Sequence, residues 1–134
     1  MTYSLKDLAV QLRNSSQGAR ALVEDCFAAI DDPNGEGPRS FIEVYHDRAR
    51  KEADRVDYAR KQGWSLPAFA GIPLSIKDLF DEANIVTRAG SKILQDNAPA
   101  SNDATVLARL KTAGFIVIGR TNMTEFAFSG LGTN

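Results

Sequence analysis

Lys77 is the residue whose type and setting most need a chemical explanation. It closes the run Gly71-Ile72-Pro73-Leu74-Ser75-Ile76-Lys77 and is followed, after Asp78, by Leu79-Phe80. An amine placed there either reaches water past its apolar neighbours or is enclosed among partners. Enclosure without partners costs an ammonium several kcal/mol and favours the neutral amine. A neutral lysine amine is a general base that can take the proton of a serine hydroxyl. From the residues alone two readings stand: a surface lysine near Asp78 or Asp81, or such a base.

The other candidates are weaker. Ser75 shares a strand face with Lys77, but residues i and i+2 have Cα atoms roughly 6–7 Å apart with parallel side chains. That is poor geometry for a nucleophile and its base, so Ser75 is read as a small polar strand residue. His46, the single histidine, sits in a charged helical stretch and is read as an exposed surface side chain. With one histidine and one cysteine, a zinc site is not expected. Cys26 falls on the apolar stripe of a helix and is read as core. Gly130-Leu131-Gly132 lacks the third glycine and following helix of a dinucleotide fingerprint. Thr121-Asn122 follows an apolar strand. These residues either face a site at the strand's carboxyl end or cap a helix beginning near Met123.

These candidates need a scaffold, and the composition allows one. The 134 residues are 43% hydrophobic and 25% charged, with a formal net charge of -1. That is globular composition, and no basic stripe marks a nucleic-acid interface. A single cysteine permits no intrachain disulfide and favours a cytoplasmic setting. The amino-terminal residues are polar and then amphipathic, unlike a secretory signal. No apolar run approaches the roughly 18 residues of a membrane span.

The pattern then places the elements. Ser4 and Asp7 form a capping box, and Leu5, Leu8 and Leu12 recur at helical spacing over residues 5–13. A second helix over about 16–30 carries Leu22, Val23, Cys26, Phe27 and Ile30 on its apolar side. Residues 31–38 are a breaker cluster. Phe41, Ile42, Val44 and Tyr45 form a short strand or lead into the next helix. That helix spans 46–62, with Ala49, Ala53, Val56 and Ala59 as a thin seam and Gly63 as its carboxyl cap. Alternation over 72–77 puts Ile72, Leu74 and Ile76 on one face and Ser75 and Lys77 on the other. A loop covers about 81–102. Asn102 or Asp103 caps a helix over 104–113, with Val106, Leu107 and Leu110 inward. Phe115–Ile118 is a buried strand. Strand, helix and strand in succession predict an α/β architecture, with residues 1–65 a helical wrapper and residues 66–134 the start of the core sheet.

Two segments resemble the amidase signature family. Gly71-Ile72-Pro73-Leu74-Ser75-Ile76-Lys77-Asp78 is similar to its Gly-Ile-Pro-x-x-x-Lys-Asp stretch. Asp103-Ala104-Thr105-Val106 through Gly119-Arg120-Thr121-Asn122-Met123-Thr124-Glu125-Phe126 is similar to its Asp-Ala-x-x-Val-x-x-Leu…Gly-(Lys/Arg)-Thr-Asn-Met-x-Glu-Phe pattern. Gly90-Ser91 fits the intervening loop. The resemblance implies helices wrapping the first strands of a mixed β-sheet, and a Ser-Ser-Lys triad in which Lys77 acts through a bridging serine on a nucleophilic serine. It also implies that Ala127, Phe128 and Ser129 line the substrate pocket. No cofactor or metal is implied.

The family's Gly-Gly-Ser-Ser-Gly-Gly-Ser-like segment has no match here, so the two serines and the oxyanion hole are expected downstream. The chain stops within a glycine-rich loop and is accordingly read as an amino-terminal fragment of one domain, inactive by itself, with a sheet edge left open. The leading expectation is an amidase converting a small carboxamide to acid and ammonia, with no direct contact to nucleic acid or membrane; a homodimer of the full-length protein is left open. The alternatives are the A subunit of a glutamyl-tRNA amidotransferase, which frees ammonia from glutamine, and a non-catalytic domain. The loop 126–132 looks more like the stand-alone amidases.

Overall fold

The computed structural model describes residues 4–14 and 17–132. The element order is α1 (Leu5–Asn14), α2 (Ala19–Ile30), α3 (Gly37–Ser40), β1 (Phe41–Val44), α4 (His46–Lys61), β2 (Pro73–Lys77), α5 (Thr105–Thr112) and β3 (Ile116–Thr121). Short 3-10 turns lie at Lys92–Leu94 and Glu125–Ala127. Residues 1–3, part of the stretch that is unlike a secretory signal, and residue 16, the expected start of the second helix, lie outside the described residues.

Local chemistry explains most of the boundaries. The capping box of α1 is formed: Asp7 N–H donates to Ser4 Oγ at 3.1 Å, and Ser4 N–H donates to the Asp7 carboxylate at 3.3 Å. The amino terminus of α2 is capped from another helix. Asp57 of α4 accepts the Ala19 and Arg20 N–H groups at 2.7 and 2.9 Å. The chain leaves α4 through Gln62 and then Gly63, which takes a left-handed φ of +71°.

Three expectations about α5 and the segment after β3 are corrected by the structure. α5 is not capped by Asn102 or Asp103: its N-cap is Ala104, because the Asp103 carboxylate instead accepts Ala83 N–H at 2.9 Å and pairs with Lys111. Of the three residues expected to face inward only Leu107 is buried; Val106 is exposed and Leu110 half-buried. No helix begins at Met123, because β3 runs on through Thr121 and a 3-10 turn comes only at Glu125.

The sheet is three-stranded, in the order β1-β3-β2. β2 and β3 are parallel and joined through α5; β1 is antiparallel to β3. The sheet therefore begins earlier than residue 66: β1, inside the expected helical wrapper, supplies one of its edges. α2 and α4 cover one face, where Val23, Phe27, Ala49 and Ala53 enclose Ile116 and Ile118. On the other face Tyr45, Ile76, Leu107 and Val117 pack together. A third cluster joins Ala9 and Leu12 of α1 to Ile72. Among the described residues no helix is long and apolar enough to cross a membrane.

The pairing of β2 with β3 has one irregularity. Leu74 pairs with Val117 and Ser75 with Gly119, so Ile118 has no partner on β2. An extra residue of this kind is a β-bulge, and it reverses the alternation beyond it. Val117 and Arg120, three positions apart, thereby reach the same side, that of Ile76 and Asp78. Glycine is required at the bulge, because a Cβ on residue 119 would lie 2.5 Å from Glu43 O and 3.0 Å from a ring carbon of Phe41.

Candidate active site

β2 and β3 are parallel and end level with each other, Lys77 beside Thr121. In open parallel sheets the loops leaving the carboxyl ends of the strands form the binding crevice. Lys77 lies at that end, and its side chain is exposed. With Leu74, Ser75, Phe80, Val106 and Leu110 it lines a largely apolar groove of about 400 Å³, beside the edge of β2 that has no strand partner among the described residues. Ser75 and Lys77 both line this groove, as do Leu74 and Ile76 of the other parity, and no hydrogen bond joins Ser75 to Lys77.

Asp78, the next residue, faces inward and is 1% exposed. Its carboxylate Oδ1 lies 3.0 Å from both Nε and Nη2 of Arg120, which is also 1% exposed. Arg120 Nη2 further donates to Phe80 O at 3.0 Å. Asp78 also organises the loop ahead. It accepts Gly90 N–H at 3.2 Å through its side chain and Ala89 N–H at 2.9 Å through its carbonyl. Its own N–H donates to Thr121 O at 3.2 Å.

Glu82 extends this buried polar layer. Fully buried, it accepts hydrogen bonds from Arg48 at 2.8 Å and from the Tyr45 hydroxyl at 3.1 Å, and it pairs with Lys111 at 3.2 Å. Burial, and then the Glu82 charge, push the Tyr45 hydroxyl well above its ordinary range, so it stays a donor.

The loop 88–91 reaches the segment after β3. Ser91 Oγ donates to Glu125 at 2.6 Å, and Phe126 N–H donates to Ala89 O at 2.8 Å. Ala127, Phe128 and Ser129 come directly after. All three are exposed, Phe128 at 90%, and they do not line the groove that holds Lys77. Ser129 Oγ accepts the N–H groups of Leu131 and Gly132 at 3.1 and 3.0 Å, closing a turn.

Thr121 lines the groove beside Lys77, whereas His46 and Cys26 resolve as structure. His46 is partly buried rather than exposed, its ring tilted at 45° and 4.5 Å from the Phe27 ring and 2.9 Å from Asp31. Cys26 is half-buried against the helical core, and burial raises its thiol above the usual range. The Asp78–Arg120 pair escapes the sequence pattern, although half of it is readable there. The alternation of Ile72, Leu74 and Ile76 points Asp78 inward by the same parity. Arg120 is not readable in this way, since its direction depends on the bulge.

A family model described as Amidase matches residues 21–134. The chain belongs to the amidase signature family. The chain is 42% identical over 120 residues to the A subunit of the glutamyl-tRNA(Gln) amidotransferase of a Synechococcus strain, covering 90% of this chain and 24% of that protein. It is equally 42% identical over 110 residues to AtzE, a 1-carboxybiuret hydrolase subunit of a Pseudomonas strain, covering 82% of this chain and 24% of that protein. Among solved structures, the peptide amidase of Stenotrophomonas maltophilia superposes with a TM-score of 0.79 at 34% identity, over 92% of this chain and 25% of that one. The chain thus spans about a quarter of the length of the curated relatives it matches, and covers a like share of the peptide amidase structure.

Proposed function

We propose that this chain is the lysine-bearing part of an amide hydrolase, and that Lys77 is its general base. The observation that carries the reading is the position of Lys77: in a chain of this family, it stands at the carboxyl end of a parallel strand, lining an open groove. In the whole protein the groove is closed by the rest of the fold, which would withdraw the amine from water and favour its neutral form. Neutral Lys77 takes a proton from a bridging serine, which takes one from the nucleophilic serine. The nucleophile attacks the carboxamide carbon, the C–N bond breaks, and the proton returns to the departing nitrogen as ammonia leaves. Water then cleaves the acyl-enzyme to the acid. Ala127, Phe128 and Ser129, which lie outside the groove in this chain, are proposed to line the substrate side of the site in the whole protein. The fragment by itself is proposed to be inactive.

In the full-length protein, Lys77→Ala is expected to lower kcat for a carboxamide substrate by about 10⁴-fold or more, as loss of a nucleophile-activating base does. The fold, read by circular dichroism, should be retained. Near wild-type turnover by this variant would refute the role. A second reading, the A subunit of an amidotransferase using glutamine, is favoured by the likeness to the Synechococcus protein. Ammonia release from glutamine that rises on adding tRNA and partner proteins would select it; hydrolysis of small amides without partners would select the stand-alone amidase.

A further inference from the structure

We propose that the buried Asp78–Arg120 ion pair is a positioning device for Lys77, fixing the direction of its side chain from the opposite face of the sheet. This rests on the reading of Lys77 as the base. Lys77 is the last residue of β2 and is exposed, whereas Asp78 opens the turn that follows and is buried, so anchoring residue 78 inward holds its neighbour 77 outward. The anchor has several points: Arg120 Nε at 3.0 Å, Gly90 N–H at 3.2 Å, and the backbone bonds of residue 78 to Thr121 and Ala89. Arg120 adds a second hold on the same turn through Phe80 O at 3.0 Å. It is available because the bulge at Ile118 turns it to the Asp78 side.

The test uses the full-length protein, a carboxamide substrate, and four variants: Lys77→Ala, Asp78→Asn, Arg120→Lys, and Val23→Ala as a destabilised control remote from this end of the sheet. Rates are taken per folded molecule. Misplacement of a reacting group by about 1 Å costs on the order of 100-fold, so Asp78→Asn should lower kcat by about that factor while KM moves by less than about threefold. Arg120→Lys keeps the charge but loses the fork, and should fall between Asp78→Asn and wild type. Val23→Ala should lose stability without losing kcat. Should Asp78→Asn fail to fold, Arg120→Lys carries the same split of kcat against KM. If Lys77→Ala is inactive while both pair variants turn over at the wild-type kcat, the pair is only structural and the proposal is overturned. If Lys77→Ala stays active, the reading of the base fails, and the positioning role goes with it.

Discussion

At the scale of single residues, charge is used in two distinct ways. On the helical side, exposed carboxylates meet arginines in hydrogen-bonded clusters. Glu24 accepts from Arg50 at 2.8 and 2.9 Å and from Arg20 at 2.7 Å. Those contacts, Arg50 first, hold its carboxyl down at about 2. A carboxylate with a lowered folded pKa stabilises the fold above its unfolded value and loses that contribution as pH falls through the folded one. The window here runs from about 4.5 down to about 2. Glu24→Gln should therefore lower the thermal midpoint at neutral pH and narrow its gap to wild type as the pH is taken towards 2. An unchanged gap across that range would show the cluster to be inert, as many surface pairs are. On the sheet side, Asp78, Glu82 and Arg120 are almost fully enclosed. Such groups add little net stability but are costly to break, because one buried charge is then left alone. That asymmetry fits groups that hold geometry.

At the scale of elements, legibility follows how local the determinants are. The capping box at Ser4 and Asp7, the alanine seam of α4 and the alternation of β2 are set by residues within a turn or two of each other, and each is readable from the sequence. β1 is ambiguous between a strand and a helix lead-in because its four residues gain a partner only from β3, far along the chain. The cap of α5 misleads because Asp103 has better partners in Ala83 and Lys111 than in the helix it precedes. Lys77 can be nominated from its setting and from the family resemblance, whereas Arg120 cannot, because a bulge has no simple periodic signature. The bulge itself can be tested. Gly119→Ala would press a methyl group against Glu43 O, 2.5 Å from the ideal Cβ position. Overpacking of this kind costs about 1–3 kcal/mol, so the urea midpoint should fall, and Arg120 should lose its register with Asp78. A neutral substitution would mean that β1 yields more easily than its pairing suggests.

At the scale of the whole molecule, the open side of β2 is the dominant feature. The strand's outer edge has no neighbour among the described residues, and beside it Val106 is 46% and Phe80 38% exposed. Exposed edges with adjoining apolar surface recruit other chains. Residues 1–134 prepared alone should therefore associate as concentration rises, followed by sedimentation velocity, and Val106→Lys should shift the distribution towards monomer. A monodisperse monomer at every concentration would show that the edge is protected in some other way.

The strand order also bears on synthesis. β3 lies between β1 and β2 but is the last of the three to be made. Neither earlier strand has its partner in this sheet until Thr121 has left the ribosome, an interval of roughly 4–15 s for β1 at about 5–20 residues per second. During it the aliphatic side chains of β2 emerge uncovered, while α1 to α4 can begin to associate. A nascent chain paused shortly before β3 would thus be a natural client for a chaperone, and one released there would have its helices and no sheet.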